Sequence, residues 1–427
     1  MRIFFFSYAY PNAAQPQLGT FNRTMIAGLA RQHAVHVVAP VPFVTAWRQR
    51  RRVATGSPVV PGVTAEHPAF YYVPKLFRAQ YDEFLWWSVR RTLRTAIREF
   101  RPDVVLSYWA HPDGAVAVRA AHEAGLPAVV MAGGSDVLIL GRSGSRRRAM
   151  LEVFHLADAA VTVNEDIATT LISDGIPSSK LHVVPRGIDR AVFHPGNRQI
   201  ARQELGLPLD RPVLVGVGRL VDVKDWPTWL NACGELVRRG LNPACYVCGG
   251  GPLQTVLQGM IRDRGLSDVV QLRGPQSQAD LARWYRAADL TVLSSRSEGV
   301  PNVLLETIAS GGSFVATRVG GIPEIADPVY DRLVTPNDPV ALATAIIDRL
   351  DHSPPAGLPR RFEPLSQQGS ADQLLRVLRS VVKEPRHGVA GAGAALGEAP
   401  VFNTEKTEAS QNAPAPATLL AEELVTT

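Results

Sequence analysis

Short apolar runs alternate with amphipathic stretches along most of the chain. The first series of runs covers residues 2–6, 34–40, 104–108, 128–132, 159–163 and 181–185. A second series covers 212–218, 244–248, 269–273, 290–294, 313–317 and 332–334. Between them, helical spacing marks 21–31, 114–123, 226–238 and 276–287. Strands that alternate with helices imply parallel sheets built from right-handed β-α-β units. The pattern breaks near residues 194–212. The predicted fold is therefore α/β, with two doubly wound domains at about 1–195 and 205–355. Leu374, Leu375, Leu378 and Val381 recur at helical spacing, which predicts an element within 360–384 that packs back on the domains. From Pro385 onward the chain turns to Ala, Gly, Pro, Thr and Glu with almost no aromatics. Such a segment cannot bury enough apolar surface to offset its chain entropy, so 385–427 is expected to be disordered.

Length and composition agree with this division. A chain of 427 residues suits two large domains, and 46% hydrophobic residues supply two cores. The net charge of +6 is uneven. Residues 1–100 hold 13 Lys and Arg against 4 Asp and Glu, while 101–200 hold 10 of each. The surplus points to an anionic partner or to a solvated basic face. A membrane surface or a phosphorylated carrier would serve as that partner, and nucleic acid is not expected. In 84–101, Trp86, Val89, Leu93 and Ile97 form a stripe with Arg90, Arg91, Arg94 and Arg98 nearby. Arg48, Arg50, Arg51 and Arg52 add charge. This stretch is either a basic amphipathic helix for an anionic lipid surface or a core helix with a wet basic face.

Three cysteines, Cys233, Cys245 and Cys248, argue against a disulfide framework and fit a reducing compartment. No second pair or nearby histidine completes a zinc set around Cys245 and Cys248, which read as buried core residues. The N-terminal apolar run is too short for a signal-peptide core, and no stretch has the length of a membrane span. The expected location is cytoplasmic, with docking on the inner face of a membrane as an added option.

In open α/β sheets, ligands bind beyond the carboxyl ends of the strands. Two facing sheets place that region in the cleft between them. Arg219 ends the run 212–218 and Lys224 follows. A planar guanidinium and a compact ammonium together suit a diphosphate, though a basic pair alone also fits a solvated loop. Glu298-Gly299-Val300-Pro301-Asn302 follows 290–294 and should open a helix. The first-turn amides of Asn302, Val303 and Leu304 would then meet an anion. Glu298 stands before that helix, and Glu306 lies two turns in, suited to accept both hydroxyls of a ribose.

With these residues in place, the sequence resembles the family-4 retaining glycosyltransferases of the GT-B fold. Glu298 and Glu306 match the E-x7-E signature. The match continues through Ala309-Ser310-Gly311 and Gly320-Gly321-Ile322-Pro323-Glu324. Upstream it takes in Gly218-Arg219-Leu220 with Lys224, Gly249-Gly250-Gly251-Pro252-Leu253, and Pro185-Arg186-Gly187-Ile188-Asp189 with Phe193. It covers about residues 1–382. The first half looks most like members that build exopolysaccharide, capsule or teichuronic-acid chains, through residues 107–114 and Gly133-Gly134-Ser135-Asp136.

The resemblance implies a nucleotide-diphosphate-sugar donor and a glycan or lipid-linked acceptor. It implies Gly19 and Gly251 in donor loops, His111 near the transferred sugar, and Asp136 on the acceptor side or steadying His111. Arg219 and Lys224 would hold the leaving diphosphate, and Glu298 would orient sugar hydroxyls. Retention is implied, by same-face attack with a donor phosphate oxygen accepting the acceptor proton. No cofactor is expected, and no Asp-x-Asp metal pair stands beside the cations. The chain departs from the family at Leu18-Gly19, where two glycines are frequent, at Arg186, where Asn is common, and at Gly312-Ser313-Phe314, where many members carry a proline. A nucleotide-sugar epimerase on the same fold and a silent partner subunit are the rival readings. A dinucleotide oxidoreductase is disfavoured, because no Gly-x-Gly-x-x-Gly follows the first run.

Overall fold

The computed structural model describes residues 1–13, 15–16, 18–48, 60–72, 80–138, 144–355 and 357–382. The N-terminal domain is built on a seven-stranded sheet. Its strands are β1 (Arg2–Phe6), β2 (Ala34–Val38), β4 (Val63–Glu66), β6 (Val104–Tyr108), β7 (Ala128–Met131), β8 (Ala159–Thr162) and β9 (Leu181–Val183). The order across the sheet is β4-β2-β1-β6-β7-β8-β9, every pairing parallel. Two short strands, β3 (Val41–Pro42) and β5 (Ala69–Phe70), pair separately.

The C-terminal domain carries β10 (Val213–Val217), β11 (Ala244–Cys248), β12 (Val270–Gly274), β13 (Leu290–Leu293), β14 (Phe314–Thr317) and β15 (Arg332–Val334). They lie in the order β12-β11-β10-β13-β14-β15, again all parallel. Both sheets are thus doubly wound, as the alternating pattern predicts.

The central strands are mostly apolar because both faces are covered, with buried polar exceptions such as Ser107 on β6 and Thr291 on β13. On β1, Phe4 and Phe6 enter one layer of core while Ile3 and Phe5 enter the other, following the two-residue period of a strand. Cys245 and Cys248 divide in the same way between the two layers of the second domain, so they cannot ligate one ion together. All three cysteines are buried and unpaired.

Three parts of the layout differ from expectation. The edge strand β4 escapes the sequence reading because only Val63 and Ala65 are apolar and it is not fully covered. The helix Arg198–Leu205 fills the gap between the predicted domains. It packs on the helix Gln278–Ala287, and buried Arg202 donates to the Ala287 carbonyl at 2.9 Å and pairs with Asp289. The second domain therefore starts with this helix rather than at 205.

The third difference is the basic stretch. The helix Tyr81–Phe100 does form, but Trp86, Val89, Leu93 and Ile97 all lie in the hydrophobic core beneath the first sheet. That stripe is not available to a lipid surface. Arg50, Arg51 and Arg52, the Arg48 side chain and the tail 385–427 lie outside the described residues.

The predicted C-terminal element is the helix Gln367–Val381, begun by Ser366, whose Oγ accepts the Gly369 amide at 3.0 Å. It returns to the first domain, where Leu374, Leu375, Val377 and Leu378 share a core layer with Ile3 and Phe5. It crosses the helix Thr20–Ala30 at Gly28, where a Cβ would stand 2.9 Å from the Ala371 Cβ. The chain returning to the first domain meets the chain leaving it. The Ile188 amide donates to Leu365, and Gln367 donates back to Ile188, at 2.8 and 3.0 Å.

Candidate active site in the interdomain cleft

The loops after β10 and β13 face each other and are tied together by backbone. Arg296 donates its amide to the Val223 carbonyl at 2.8 Å, and Ser294 Oγ donates to the carbonyls of Lys224 and Asp225 at 2.9 Å each. Asp225 is buried and accepts from Thr228 and Arg296. This frame sets Lys224 Nζ 2.5 Å from Glu298 Oε1, and the same oxygen accepts the Ser295 hydroxyl at 2.6 Å. The sequence places Lys224 and Glu298 far apart; the fold makes them an ion pair. Arg219 sits at the exit of β10, where its carbonyl accepts the Trp226 indole N–H at 2.8 Å.

The glycines of this region are fixed by close backbone approach. A Cβ on Gly249 would lie 1.8 Å from the Gly218 carbonyl oxygen, and one on Gly251 would lie 2.6 Å from that of Leu220. The loops after β10 and β11 thus touch directly, which only glycine permits. A Cβ on Gly320 would lie 1.8 Å from the Glu298 carbonyl oxygen. The Gly320-Gly321 turn therefore supports the Glu298 loop from behind, and the Gly321 amide donates to the Gly299 carbonyl at 2.8 Å.

The helix Asn302–Ala309 follows. It has no capping side chain and no acidic residue in its first turn. Leu304 donates its amide to the Pro301 carbonyl at 3.0 Å and buries its side chain in the core, so it is less free for an anion than expected. Among the described residues, the amides of Asn302 and Val303 have no such partner. One turn on, Glu306 accepts the Tyr285 hydroxyl at 2.7 Å. Burial pushes its carboxyl up to about 7, against the lowering effect of that hydrogen bond.

A cleft of about 480 Å³ lies between the domains. Thr20, Phe21, Arg23 and Tyr108 line it from the first domain, and Asn302 and Glu306 from the second. Gly19 sits immediately before the helix Thr20–Ala30, with φ 59° and room for no Cβ, because the Ala9 carbonyl oxygen would be 2.1 Å away. That helix too lacks a capping side chain and a first-turn acid. Two uncapped helix starts, one per domain, therefore border one cleft.

His111 lies in the turn Ala110–Gly114 after β6. It is buried, with Nε2 3.4 Å from Asp82 Oδ1 on the helix Tyr81–Phe100. Asp136 is also buried. Its Oδ2 accepts the Ala110 amide at 3.1 Å, and its Oδ1 accepts those of Gly133 and Gly134 at 3.0 and 2.9 Å. Burial raises its pKa while these amides lower it. Both of its oxygens are thus engaged by backbone, which ties the Gly133-Gly134 loop to the turn that carries His111.

The Gly133-Gly134 loop then meets the second domain beside Glu298. A Cβ on Gly134 would stand 3.2 Å from the Gly299 Cα. Glu324 reaches across as well, accepting the amides of Glu165 and Asp166 at 3.1 and 2.9 Å. The sequence reading missed four participants. Asp113 is buried, accepts from Ser7 and Tyr8, and is raised by burial to about 7. Tyr285 orients Glu306, Glu324 bridges the domains, and Arg186 lies on the cleft wall. Glu324 and Asp113 lie in segments matched to the family without a role assigned, Arg186 showed as a departure from the family's usual Asn, and Tyr285 left no trace.

Two doubly wound parallel sheets that face each other across a cleft, with polar residues at the strand ends, define the GT-B class. Comparisons with known proteins agree. Residues 18–192 match Glycosyltransferase Family 4, and residues 197–364 match Glycosyl transferases group 1. The D-inositol 3-phosphate glycosyltransferase 2 of Catenulispora acidiphila is 35% identical over 211 residues, 47% of this chain and 49% of that one. The chain thus matches about half the length of that relative. The D-inositol 3-phosphate glycosyltransferase of Streptosporangium roseum is 31% identical over 318 residues, 69% of this chain and 72% of that one. Bacillus subtilis TuaC, described as a glycosyltransferase of teichuronic acid biosynthesis, is 28% identical over 365 residues, 82% of this chain and 90% of that one.

Among solved structures, Anabaena HepE in complex with UDP superposes with a TM-score of 0.63 at 18% identity, covering 90% of this chain and 96% of that one. Sucrose-phosphate synthase from Thermosynechococcus elongatus gives 0.67 at 16%, covering 89% and 94%. The chain belongs to the family-4 and group-1 glycosyltransferases of the GT-B fold.

Proposed function

We propose that the protein transfers a sugar, with retention and without a metal ion, from a nucleoside-diphosphate sugar to a glycan or lipid-linked acceptor in cell-surface polysaccharide synthesis. The observation that carries this reading is the Lys224–Glu298 pair, which joins the loops after β10 and β13, with Glu306 on the cleft wall. As the donor bond breaks, negative charge grows on the leaving diphosphate. Arg219, Lys224 and the Asn302 and Val303 amides stabilise that charge electrostatically. When the diphosphate takes over Lys224, Glu298 is released to accept hydroxyls of the transferred sugar. Glu306, once ionised, accepts the two ribose hydroxyls. A donor phosphate oxygen takes the acceptor proton, so no side chain is assigned as base. The names of the relatives, which include two inositol-phosphate glycosyltransferases and TuaC, support transfer as the reaction. The UDP complex of HepE supports the donor class.

A thermal-shift screen with UDP-, GDP- and ADP-sugars tests the donor. A ligand at a hundred times its Kd adds about 2.7 kcal/mol of apparent stability. Glu298→Ala and Lys224→Ala are each expected to lower transfer about a hundredfold or more with the fold retained. Unchanged turnover in both variants would remove the site, and an altered free donor in the absence of acceptor would favour an epimerase.

A lipid surface as a second partner is favoured by a different patch from the buried stripe. Trp47, Tyr71 and Trp87 are 69%, 61% and 60% exposed. They are neighbours: Tyr71 stacks on Phe43, one helical turn from Trp47, and its amide donates to Ser88 Oγ beside Trp87. Arg90 lies over the Trp87 ring at 3.6 Å. Exposed amphipathic aromatics beside arginines suit an anionic interface.

A further inference from the structure

Arg186 occupies the chain segment that leaves the first domain, and it touches both halves of the molecule. Its Nη2 donates to Tyr108 Oη at 3.0 Å and faces the Gly133 carbonyl at 3.5 Å. Its Nη1 faces Asn302 Oδ1 at 3.5 Å, at the start of the second domain's uncapped helix. The guanidinium lies over the Phe21 ring at 4.6 Å, in the first turn of the other uncapped helix. Every one of these partners is neutral. Among the described residues, no carboxylate pairs with Arg186 within 4 Å, and the same holds for Arg23 on the same cleft wall.

This contrasts with Lys224, whose charge is cancelled by Glu298 at 2.5 Å before any ligand arrives. The half-buried Arg186 keeps its full charge between two helix starts that themselves favour anions. A fork-shaped cation caged by neutral acceptors and a ring is pre-oriented, so little side-chain freedom remains to be lost on binding.

We propose that Arg186 binds the donor's diphosphate directly, as a cation supplied by the first domain's exit segment in addition to Arg219 and Lys224. Through its contacts on both sides, it makes the arrangement of the two domains sensitive to the charge of the donor. The inference rests on the reading of the cleft as a nucleoside-diphosphate-sugar site, and it assigns a donor-binding role to the position where the chain departs from its family's usual Asn.

The test uses the full chain and isothermal titration with UDP, GDP and ADP, followed by the matching free nucleoside of whichever binds. Arg186→Asn and Arg186→Gln are expected to weaken the diphosphate about tenfold or more, as loss of a charge-assisted hydrogen bond requires, and to change nucleoside affinity less than about twofold. Arg186→Lys is expected to fall between these variants and the parent. The phosphate-specific loss should shrink as salt is raised. Equal losses for nucleoside and diphosphate would make Arg186 a structural clamp and overturn the proposal. So would a diphosphate affinity unchanged in both neutral variants. If the parent chain binds none of the three diphosphates, the donor reading falls and takes this inference with it. Parent binding with unaffected variants removes this inference alone.

Discussion

At the scale of single residues, the cleft shows how burial and pairing tune charge before a ligand arrives. Glu306 is the clearest case, with its carboxyl lifted to about 7 by burial. In the unfolded chain the same group titrates near 4.5. The folded protein therefore holds a proton that the unfolded chain releases, and stability falls as pH rises from about 4.5 to about 7, levelling off above that. Asp113, also raised to about 7, acts in the same window. Glu306→Gln should make melting temperature decline less across that window, while weakening the donor because an amide offers one acceptor oxygen. Parallel melting curves of the two proteins from pH 4.5 to 8 would refute the first half. For the parent, donor affinity should climb as pH passes 7, since only the carboxylate accepts two ribose hydroxyls.

At the scale of elements, the site depends on pieces that touch no ligand. The Gly320-Gly321 turn braces the Glu298 loop, and the Gly249–Gly251 segment lets two strand-end loops meet. The helix Gln367–Val381 is a structural part of the first domain although it comes last among the described elements. Leu378 is fully buried there. Leu378→Ala should cost about 2–5 kcal/mol, the range for a leucine truncated in a core that relaxes only in part. Chemical denaturation would register this as a lower midpoint of the transition that reports the first domain. A loss under about 0.5 kcal/mol would mean that the helix does not hold the domain together.

At the scale of the whole molecule, two sheets present their strand ends to each other, and the domains meet at glycines beside Glu298. Small residues at that junction let backbones approach without side-chain bulk, while Glu324 supplies a polar tie across it. The N-terminal domain also carries the exposed aromatic patch. Flotation with anionic vesicles at low salt should carry the parent protein upward, and Trp47→Ser with Trp87→Ser should abolish this without touching the cleft. A parent that stays at the bottom of the gradient ends the lipid proposal. An outcome in which Trp86→Leu, a change in the core, mattered as much as the surface pair would point to unfolding instead.

The sequence by itself determined the two parallel sheets, nearly every central strand, and the identity of the charged residues at the strand ends. It could do so because strands covered on both faces must be mostly apolar, and because glycines and charges just beyond them punctuate each unit. Tertiary structure alone decided what those residues do to one another. Lys224 and Glu298 become partners only when the loops after β10 and β13 are tied together. The stripe of Trp86 and Val89 could face lipid or core with the same helical spacing, and only packing chose the core. Asp136 carries no local sign that backbone amides will occupy both of its oxygens. The edge strand β4 was illegible because half-covered positions leave no periodic mark, and Arg186 showed only as a departure from the family's usual Asn because contacts between distant segments leave no such mark either.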